Sequence, residues 1–170
     1  MSDDPVSGVE LVSTAPEATR AIGASLAGIL EVGDLLVLNG DLGAGKTCFS
    51  QGIGRGLGVV DRITSPTFTI AAQYDGRLCL HHLDVYRLDD PAETIDLDLP
   101  ELQESGVVVI EWGGEIDAVL PAERLTVTLS YDDADRDEGA DDRRRIDLAW
   151  AGPSWERRAE ALRSLGAASC

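Results

Sequence analysis

The single lysine of this 170-residue chain, Lys46, lies in the segment that most constrains the fold. Residues 40–47 are Gly-Asp-Leu-Gly-Ala-Gly-Lys-Thr and fit the phosphate-loop pattern G-x-x-x-x-G-K-[ST]. In that pattern main-chain N–H groups cradle phosphate oxygens, and the lysine ammonium reaches the β- and γ-phosphates of a nucleotide. Every other basic side chain is one of thirteen arginines, so lysine is retained at the one place where the pattern requires it. The segment therefore predicts a nucleotide-binding loop, hereafter called the phosphate loop.

The residues on either side of the phosphate loop have the pattern that such a loop needs. Leu35-Leu36-Val37-Leu38 is a continuous apolar run of strand length, which is typical of a buried parallel strand. After the loop, three apolar residues spaced four apart favour one face of a helix: Phe49, Ile53 and Leu57. The three glycines between residues 51 and 57 each cost about 1 kcal/mol relative to alanine, so packing must hold this helix. The order strand, loop, helix points the loop amides and the positive helix end at the phosphates.

The rest of the sequence predicts an α/β fold of the P-loop NTPase-like type, with a mixed, mainly parallel sheet flanked by helices. Apolar or alternating runs predict the other strands: 9–12, 68–74, 78–84, 107–110, 125–129 and 146–150. Asp75-Gly76 is a hairpin turn. Thr14 and Glu17 form a capping box before an early helix, and Ser154 is expected to cap a C-terminal helix that ends at about Leu165.

The bulk composition favours one globular domain spanning residues 1–170. The hydrophobic content of 44% is ordinary, and no stretch approaches the roughly 18 to 20 apolar residues of a membrane span. Three cysteines are an odd number without metal-ligand spacing, so a disulfide scaffold is disfavoured and a cytoplasmic location is expected. The net charge of −17 argues against strong direct binding to nucleic acid, which requires a basic surface.

Residues 132–142 carry part of that negative charge. This segment contains seven carboxylates and favours a solvated loop over a metal site. Arg143, Arg144 and Arg145 follow it directly. Either they compensate the charge of the acidic loop, or one of them reaches a nucleotide or a partner protein.

A nucleotide hydrolase also needs magnesium ligands and a group that orients water. Thr47 is expected to place its hydroxyl on Mg²⁺. Asp84 and Glu111 each end an apolar strand, and both are expected at the sheet edge where ligands bind in open α/β folds. A carboxylate after a strand can also be a helix cap or a loop residue, but two such strand ends favour a site. Lys46, Asp84 and Glu111 are therefore the candidate catalytic residues, with Asp84 favoured for orienting the attacking water.

Two further segments bear on the site. Ser65, Pro66 and Thr67 are either a turn that leads into a strand or a switch-like segment that senses the γ-phosphate. His81 and His82 are adjacent on a predicted strand, so they face opposite sides of the sheet. One is expected to be packed and the other exposed, without a catalytic role for either.

Five segments agree in order and spacing with one protein family: 40–47, Ser65-Pro66-Thr67-Phe68-Thr69, His82-Leu83-Asp84-Val85-Tyr86-Arg87-Leu88, Asp90-Pro91 and Ile110-Glu111-Trp112-Gly113. Over roughly residues 9 to 131 the chain resembles the TsaE family (older name YjeE), small bacterial ATPases needed for threonylcarbamoyladenosine formation on tRNA. The phosphate loop alone is generic, but its Asp-Leu-Gly-Ala form together with the second and third segments is specific to this family. Cys48, where the family usually has threonine or serine, the acidic insert and the tail after Trp150 depart from the family pattern.

The resemblance implies that the chain binds ATP and Mg²⁺, with the ion held by Thr47, Glu111 and Asp84. The nucleotide-binding residues expected on this basis are Thr14, Asp41, Leu42, Gly43, Ala44, Gly45, Lys46, Thr47 and Cys48. It also implies weak hydrolysis unless the chain joins the TsaB and TsaD proteins. TsaD transfers the threonylcarbamoyl group to adenosine 37 of tRNA, and the ATPase resets that machine between turnovers. A strongly acidic subunit suits docking on a basic protein surface.

Two other functions fit the phosphate loop. A small-molecule or nucleoside kinase would share the loop but needs an acceptor pocket and usually an arginine-rich lid, for which residues 143–145 are a candidate. A nucleotide-dependent binding module would hold ATP without hydrolysing it. A phosphorylated product after incubation with ATP and candidate acceptors would favour the kinase. A lack of phosphate release in a prolonged assay with TsaB and TsaD would favour the binding module.

Overall fold

The structure is a computed structural model that describes residues 7–66, 71–86, 97–132 and 142–167. Its strands are β1 (Ser7–Ser13), β2 (Leu35–Asn39), β3 (Ala71–Tyr74), β4 (Cys79–Asp84), β5 (Gly106–Glu111), β6 (Arg124–Tyr131) and β7 (Arg144–Ala151). Its α-helices are α1 (Pro16–Ala27), α2 (Lys46–Gly56), α3 (Leu99–Ser105), α4 (Pro153–Glu156) and α5 (Ala159–Ala167). A 3₁₀ helix, Gly113–Val119, follows β5.

The described strands form one sheet in the order β1-β7-β6-β2-β5-β4-β3. The four central strands, β6, β2, β5 and β4, run parallel to one another. The outer pairings β6–β7, β7–β1 and β4–β3 are antiparallel. This arrangement confirms the predicted mixed sheet with a parallel centre.

Alternate residues of β2 enter two separate cores, because successive side chains of a strand point to opposite faces. Leu36 and Leu38 lie in the larger core, with α1, α2 and α5. Leu35 and Val37 lie in the smaller core, with α3 and the 3₁₀ helix. The apolar run that predicted a buried strand is therefore covered on both faces by helices.

Two helix ends differ from the sequence-based expectation. The N-cap of α1 is Ala15 without a side-chain cap, and Thr14 is exposed. The C-terminal region contains two helices instead of one, because α4 ends at Glu156 and α5 begins at Ala159. Gly152, not Ser154, is the N-cap of α4. The Ser154 hydroxyl instead accepts a hydrogen bond of 2.7 Å from Arg158.

Several predicted features lie outside the described residues. These are residues 68–70 of the first hairpin strand, the Asp90-Pro91 segment, where a short helix capped by Asp90 is expected, and most of the acidic loop, 133–141. In the described ranges no helix has both the length and the apolar surface that a membrane crossing requires.

The topology brings one set of strand ends to a single edge of the sheet. The parallel strands β2, β4, β5 and β6 end there, at Asn39, Asp84, Glu111 and Tyr131. Because β7 is antiparallel to β6, its first residue, Arg144, lies at the same edge. Ligands bind at this carboxyl edge in open α/β sheets.

Candidate nucleotide-binding site

The phosphate loop leaves β2 after Asn39 and enters α2 at Lys46. Gly40, Gly43 and Gly45 have φ angles of 147°, 79° and 107°, a region of backbone conformation that favours glycine. Gly45 is also the N-cap of α2 and provides no side-chain acceptor for its first turn. The first N–H groups of a helix have no partner within the helix, so they are the donors from which a phosphate would accept hydrogen bonds.

Lys46 is almost completely buried, with an exposed fraction of 5%. Its Nζ donates hydrogen bonds of 2.6 Å to the Gly40 carbonyl and 3.0 Å to the Asp41 carbonyl. Burial lowers the pKa of the Lys46 ammonium from its ordinary value, although three nearby carboxylates oppose that shift. These are, in order of effect, Glu111, Asp84 and Asp41. The Lys46 ammonium is thus held against the phosphate loop, where the phosphates of a nucleotide are expected to bind.

The Trp112 ring lies beside the Lys46 ammonium. Lys46 Nζ lies 3.7 Å from the centroid of the Trp112 ring, which is a cation–π contact. The main-chain N–H of Trp112 donates a 2.9 Å hydrogen bond to the Leu38 carbonyl, and the centroid of the Tyr86 ring lies 4.7 Å from that of the indole. The residue after β5 therefore positions the lysine through its aromatic face.

Glu111, at the end of β5, is the centre of a buried polar network. Thr47 Oγ1 donates to Glu111 Oε2 at 3.2 Å, and Ser50 Oγ shares its proton between Glu111 Oε1 and the Lys46 carbonyl, each at 3.1 Å. His82 Nε2 lies 2.8 Å from the same Oε1. The Glu111 side chain is buried, so these three partners compensate the cost of removing a carboxylate from water.

The contact with Glu111 indicates a role for one ring nitrogen of His82. Its Nδ1 is buried and has no hydrogen-bond partner among the described residues. Its Nε2 lies at hydrogen-bond distance from Glu111 Oε1, and a carboxylate oxygen can only accept, so a proton on Nε2 is donated to Glu111.

Asp84 lies next to Glu111 in the sheet, because the two residues are in register on the parallel strands β4 and β5. The Ser65 hydroxyl donates a 2.8 Å hydrogen bond to Asp84 Oδ2. The Tyr86 N–H donates a 3.0 Å hydrogen bond to Asp84 Oδ1. Asp84 is half-buried, so it combines a fixed orientation with access to solvent.

Cys48 and Thr14 lie on the side of the loop formed by α1. The Cys48 thiol donates a 3.2 Å hydrogen bond to the Pro16 carbonyl at the start of α1. Burial raises the pKa of the Cys48 thiol, so the protonated form is favoured. Thr14 directly follows β1, whose end lies at the carboxyl edge beside β7. The predicted contact of Thr14 with a nucleotide stays a prediction.

The structure brings together most of the side chains that the sequence proposed for the site. Lys46, Thr47 and Glu111 are linked through direct contacts or the phosphate loop. Asp84 joins them through the strand register, and Ser65 through its bond to Asp84. Pro66 follows Ser65 and is half-buried, whereas Thr67 lies outside the described residues.

Sequence reasoning missed two members of the network, His82 and Ser50. The expectation that one of the two adjacent histidines is exposed was wrong, because His81 and His82 are 5% and 0% exposed. His81 lies on the other face of β4, with its Nε2 2.8 Å from Ser105 Oγ. The spacing could have indicated His82, since residues two apart on a strand share a face and His82 precedes Asp84 by two. Ser50 lies one helical turn beyond Thr47, on the same side of α2.

The available side chains fit a magnesium ion held together with a nucleotide. Within the described ranges no three or more histidine, cysteine, aspartate and glutamate side chains are grouped to hold a metal by themselves. Mg²⁺ in nucleotide sites uses only one or two carboxylates, together with substrate phosphates and water. The Thr47 hydroxyl, the Glu111 carboxylate and the neighbouring Asp84 are hard oxygen donors of this kind.

Comparison with known proteins gives a consistent result. The family described as "Threonylcarbamoyl adenosine biosynthesis protein TsaE" matches residues 13–143. The TsaE protein of Bacillus subtilis is 41% identical over 148 residues, which cover 86% of this chain and 89% of that protein. The Treponema pallidum relative is 44% identical over 119 residues, covering 69% of this chain and 88% of the relative. The crystal structure of Bacillus subtilis YdiB superimposes with a TM-score of 0.77 at 36% identity, covering 92% and 95% of the two chains.

A glycine-rich loop joins β2, a buried parallel strand at the centre of the sheet, to the helix α2. This arrangement defines a protein with a P-loop NTPase-like fold. The comparisons identify a family within this class of proteins. The family match covers most of the chain, and relatives above 40% identity align over most of their own length. The chain belongs to the TsaE family.

Proposed function

We propose that this chain is an ATPase subunit that acts in forming N6-threonylcarbamoyladenosine at position 37 of tRNA, where it resets the TsaB–TsaD complex. Membership of the TsaE family supports the pathway, since the relatives are named as tRNA threonylcarbamoyladenosine biosynthesis proteins. The observation that carries the ATPase activity is the contact between Thr47 of the phosphate loop and the buried carboxylate of Glu111. It joins a phosphate-binding loop to a carboxylate from a neighbouring strand, the pair that holds magnesium in P-loop hydrolases.

Binding begins with the loop amides and the first turn of α2, which offer N–H donors to the phosphates of ATP. The ammonium of Lys46 exchanges its contacts with the Gly40 and Asp41 carbonyls for contacts with phosphate oxygens. Mg²⁺, when bound, offsets negative charge on the β- and γ-phosphates. Thr47 and Glu111 would supply its protein oxygens, and Ser50 and His82 hold Glu111 in place.

Asp84 is the residue we propose for orienting the attacking water. Its neighbour in register, Glu111, is fully buried and hydrogen-bonded on both oxygens, whereas Asp84 retains solvent access. Ser65 and the Tyr86 N–H fix the orientation of the Asp84 carboxylate. Since Ser65 begins the proposed switch-like segment Ser65, Pro66 and Thr67, a partner that moves this segment would change Asp84 directly.

The charge of the chain supports a protein partner over direct tRNA binding. A net charge of −17 repels phosphate backbones but complements a basic protein surface. TsaB and TsaD are the proposed partners, and the cytoplasm the proposed location. The arginine run does not favour a kinase lid, because Arg143 pairs with Asp132 and Arg145 with Glu10. The single-domain organisation over residues 1–170 is part of the same proposal.

The test combines ATP titration with phosphate release in the presence and absence of TsaB and TsaD. Lys46→Ala is expected to abolish ATP binding. Asp84→Asn and Glu111→Gln are expected to retain binding and lose turnover, by at least about 100-fold. Glu104→Gln, an exposed carboxylate on α3, is the matched control and is expected to behave like the wild type.

Three results would contradict the proposal. If the folded wild type does not bind Mg·ATP, the nucleotide site is wrong. If both carboxylate variants hydrolyse ATP normally with the partners, the catalytic assignment is wrong. If no phosphate is released after prolonged incubation with TsaB and TsaD, a non-hydrolysing binding module replaces the ATPase.

A further inference from the structure

The two flanks of the phosphate loop carry opposite charges. The strand β2, which leads into the loop, lies between β5 and β6. On the β5 side, Glu111 and Asp84 form the carboxylate flank at the ends of β5 and β4. On the β6 side, Tyr131 ends β6 and pairs with Arg144, the first residue of β7. The carboxylates on the β5 side suit a magnesium ion at the β- and γ-phosphates. The β6 side would therefore face the remainder of the nucleotide.

Arg144 contacts the phosphate loop directly. Its Nη2 donates to the Gly43 carbonyl at 3.4 Å, and its Nη1 donates to the Arg143 carbonyl at 3.0 Å. The guanidinium lies over the Tyr131 ring, 4.2 Å from the centroid. The Tyr131 hydroxyl in turn donates to the Leu42 carbonyl at 3.4 Å. A cation stacked on a ring that also touches the loop is held in one orientation before a ligand arrives.

The contact to Gly43 is of a kind that a ligand can replace. At 3.4 Å it is longer than the usual N–H···O distance and joins a charged donor to a neutral carbonyl. A phosphate oxygen is a stronger acceptor, and a planar guanidinium can bind two phosphate oxygens at once. A phosphate oxygen close to the Gly43 carbonyl would therefore lie within reach of the same Nη2 donor.

The position of Arg144 relative to Cys48 indicates which phosphates it would meet. Arg144 is in register with Ser13, the last residue of β1, and the Cys48 thiol bonds to the carbonyl of Pro16, which lies three residues after Ser13. Cys48 directly follows Lys46-Thr47 in the first turn of α2, on the side of the loop near α1. The lysine and the carboxylates serve the β- and γ-phosphates, so a cation on the opposite flank faces the α- and β-phosphates.

We propose that Arg144 is a nucleotide-binding residue whose guanidinium contacts the α- and β-phosphates of ATP, across the phosphate loop from Glu111 and Asp84. This inference rests on the proposed function. Arg144 supplies positive charge in a chain that has 31 acidic and only 14 basic side chains. It adds affinity for ATP and ADP alike, and it does not take part in cleavage of the γ-phosphate.

The experiment measures dissociation constants of ATP and ADP with magnesium for the full-length protein and for Arg144→Gln. Affinity is expected to fall roughly tenfold for both nucleotides, as for the loss of one charge-assisted contact. In steady-state assays of phosphate release the KM for ATP is expected to rise by a similar factor, and by more than kcat falls. Arg144→Lys, which keeps the charge but not the planar fork, is expected to recover part of the affinity.

Arg145→Gln is the matched control, because Arg145 is the next residue of β7 and contacts Glu10 on β1 instead of the loop. It is expected to bind both nucleotides like the wild type. The thermal midpoint of nucleotide-free Arg144→Gln is measured too, since a purely structural contact with Gly43 would lower it by several degrees.

Each contrary result has a distinct meaning. Unchanged ATP and ADP affinity in Arg144→Gln, with normal binding by the wild type, overturns the inference and leaves the proposed function intact. A loss confined to ATP places the contact at the γ-phosphate and overturns the assignment to the α- and β-phosphates. An equal loss in Arg145→Gln, or a loss of affinity in Arg144→Gln that disappears when only the folded fraction of the protein is counted, shows a general charge or folding effect and overturns the inference as well. A wild type that binds no nucleotide refutes the proposed function itself.

Discussion

At the scale of single residues, the buried carboxylate of Glu111 ties the stability of the fold to its proposed chemistry. It accepts hydrogen bonds from α2 through Thr47 and Ser50 and from β4 through His82. A buried carboxylate without partners is costly, so each of these donors stabilises the fold as well as the ligand geometry. The residue that could hold magnesium is thus positioned by two other elements.

We expect His82→Ala to lower both the stability and the activity. It removes a hydrogen-bond donor from buried Glu111 and leaves a cavity at a side chain with 0% exposure. The free energy of unfolding is expected to fall by about 2–4 kcal/mol. Magnesium-dependent ATP turnover is expected to fall about 10- to 100-fold, as for other groups that orient a metal ligand. Urea unfolding and phosphate release measure the two effects.

The chain offers a matched control in the adjacent residue. His81→Ala also removes a buried histidine, but its partner is Ser105 on the opposite face of the sheet. It is expected to lose stability without losing turnover by the folded fraction. His82→Gln restores an N–H donor near Nε2 and should recover part of the turnover. Equal losses of turnover in His81→Ala and His82→Ala would rule out a specific effect on Glu111.

The individual residues differ in how far the sequence could predict them. Lys46 and Thr47 follow from a local pattern, and Glu111 follows from its place after an apolar strand. The spacing places His82 on the same face as Asp84, but its contact with Glu111 depends on the register between β4 and β5, which are neighbours in space but not consecutive in the chain. Contacts across such a register are fixed by the packed sheet and not by local pattern.

At the scale of elements, the glycines of α2 explain how this helix reaches α1. Alone they weaken a helix, since glycine loses more conformational entropy than alanine. A Cβ at Gly52 would overlap the Arg20 backbone, and a Cβ at Gly23 of α1 would lie 2.6 Å from the Phe49 carbonyl. The two helices therefore approach at positions where neither can carry a side chain, and packing offsets the entropic cost.

We expect Gly52→Ala to destabilise the protein although alanine favours helices. The added methyl group would meet the backbone of α1, which cannot move aside as a flexible side chain can. Overpacking of this kind lowers the free energy of unfolding by about 1–3 kcal/mol, which urea unfolding detects. Gly28→Ala is the control, because Gly28 has a helical φ of −64° and its closest neighbour, the Ser25 carbonyl, lies 3.3 Å from the added Cβ. A gain in stability by Gly52→Ala would show that the helices can separate without cost.

The sequence predicted the elements better than their ends and their order. Strands were predicted correctly in the described ranges because apolar runs, alternating runs and the Asp75-Gly76 turn are local patterns. The prediction of a single C-terminal helix was wrong, since residues 157 and 158 separate α4 from α5. Arg158, at this break, forms a buried pair with Asp34 at 2.7 Å, next to the start of β2, and such a distant contact leaves no local pattern. The position of β7 between β6 and β1 was also not predictable, because antiparallel pairing of distant strands leaves no local pattern.

At the scale of the whole molecule, the excess of acidic residues acts on stability and on association together. The chain carries a net charge of −17 on 170 residues, and folding brings those charges closer than they are in the extended chain. Described ion pairs such as Arg55–Glu17 are exposed, so solvent screens them and they contribute little to stability. Repulsion between carboxylates, summed over the surface, therefore outweighs the exposed pairs.

Salt is accordingly expected to stabilise this protein. Raising NaCl from about 0.02 M to about 0.5 M shortens the screening length from roughly 20 Å to about 4 Å, so the repulsion falls while the buried pair Arg158–Asp34 is little affected. The midpoint of thermal unfolding, measured by calorimetry, should rise by a few degrees. A control variant replaces Asp133, Asp135, Asp137, Glu138 and Asp141 by their amides, which lowers the magnitude of the net charge by five units. Its midpoint should rise less with salt than that of the wild type. A midpoint that falls with salt in the wild type would mean that attractive pairs, and not the surplus of carboxylates, dominate the electrostatic energy of the fold.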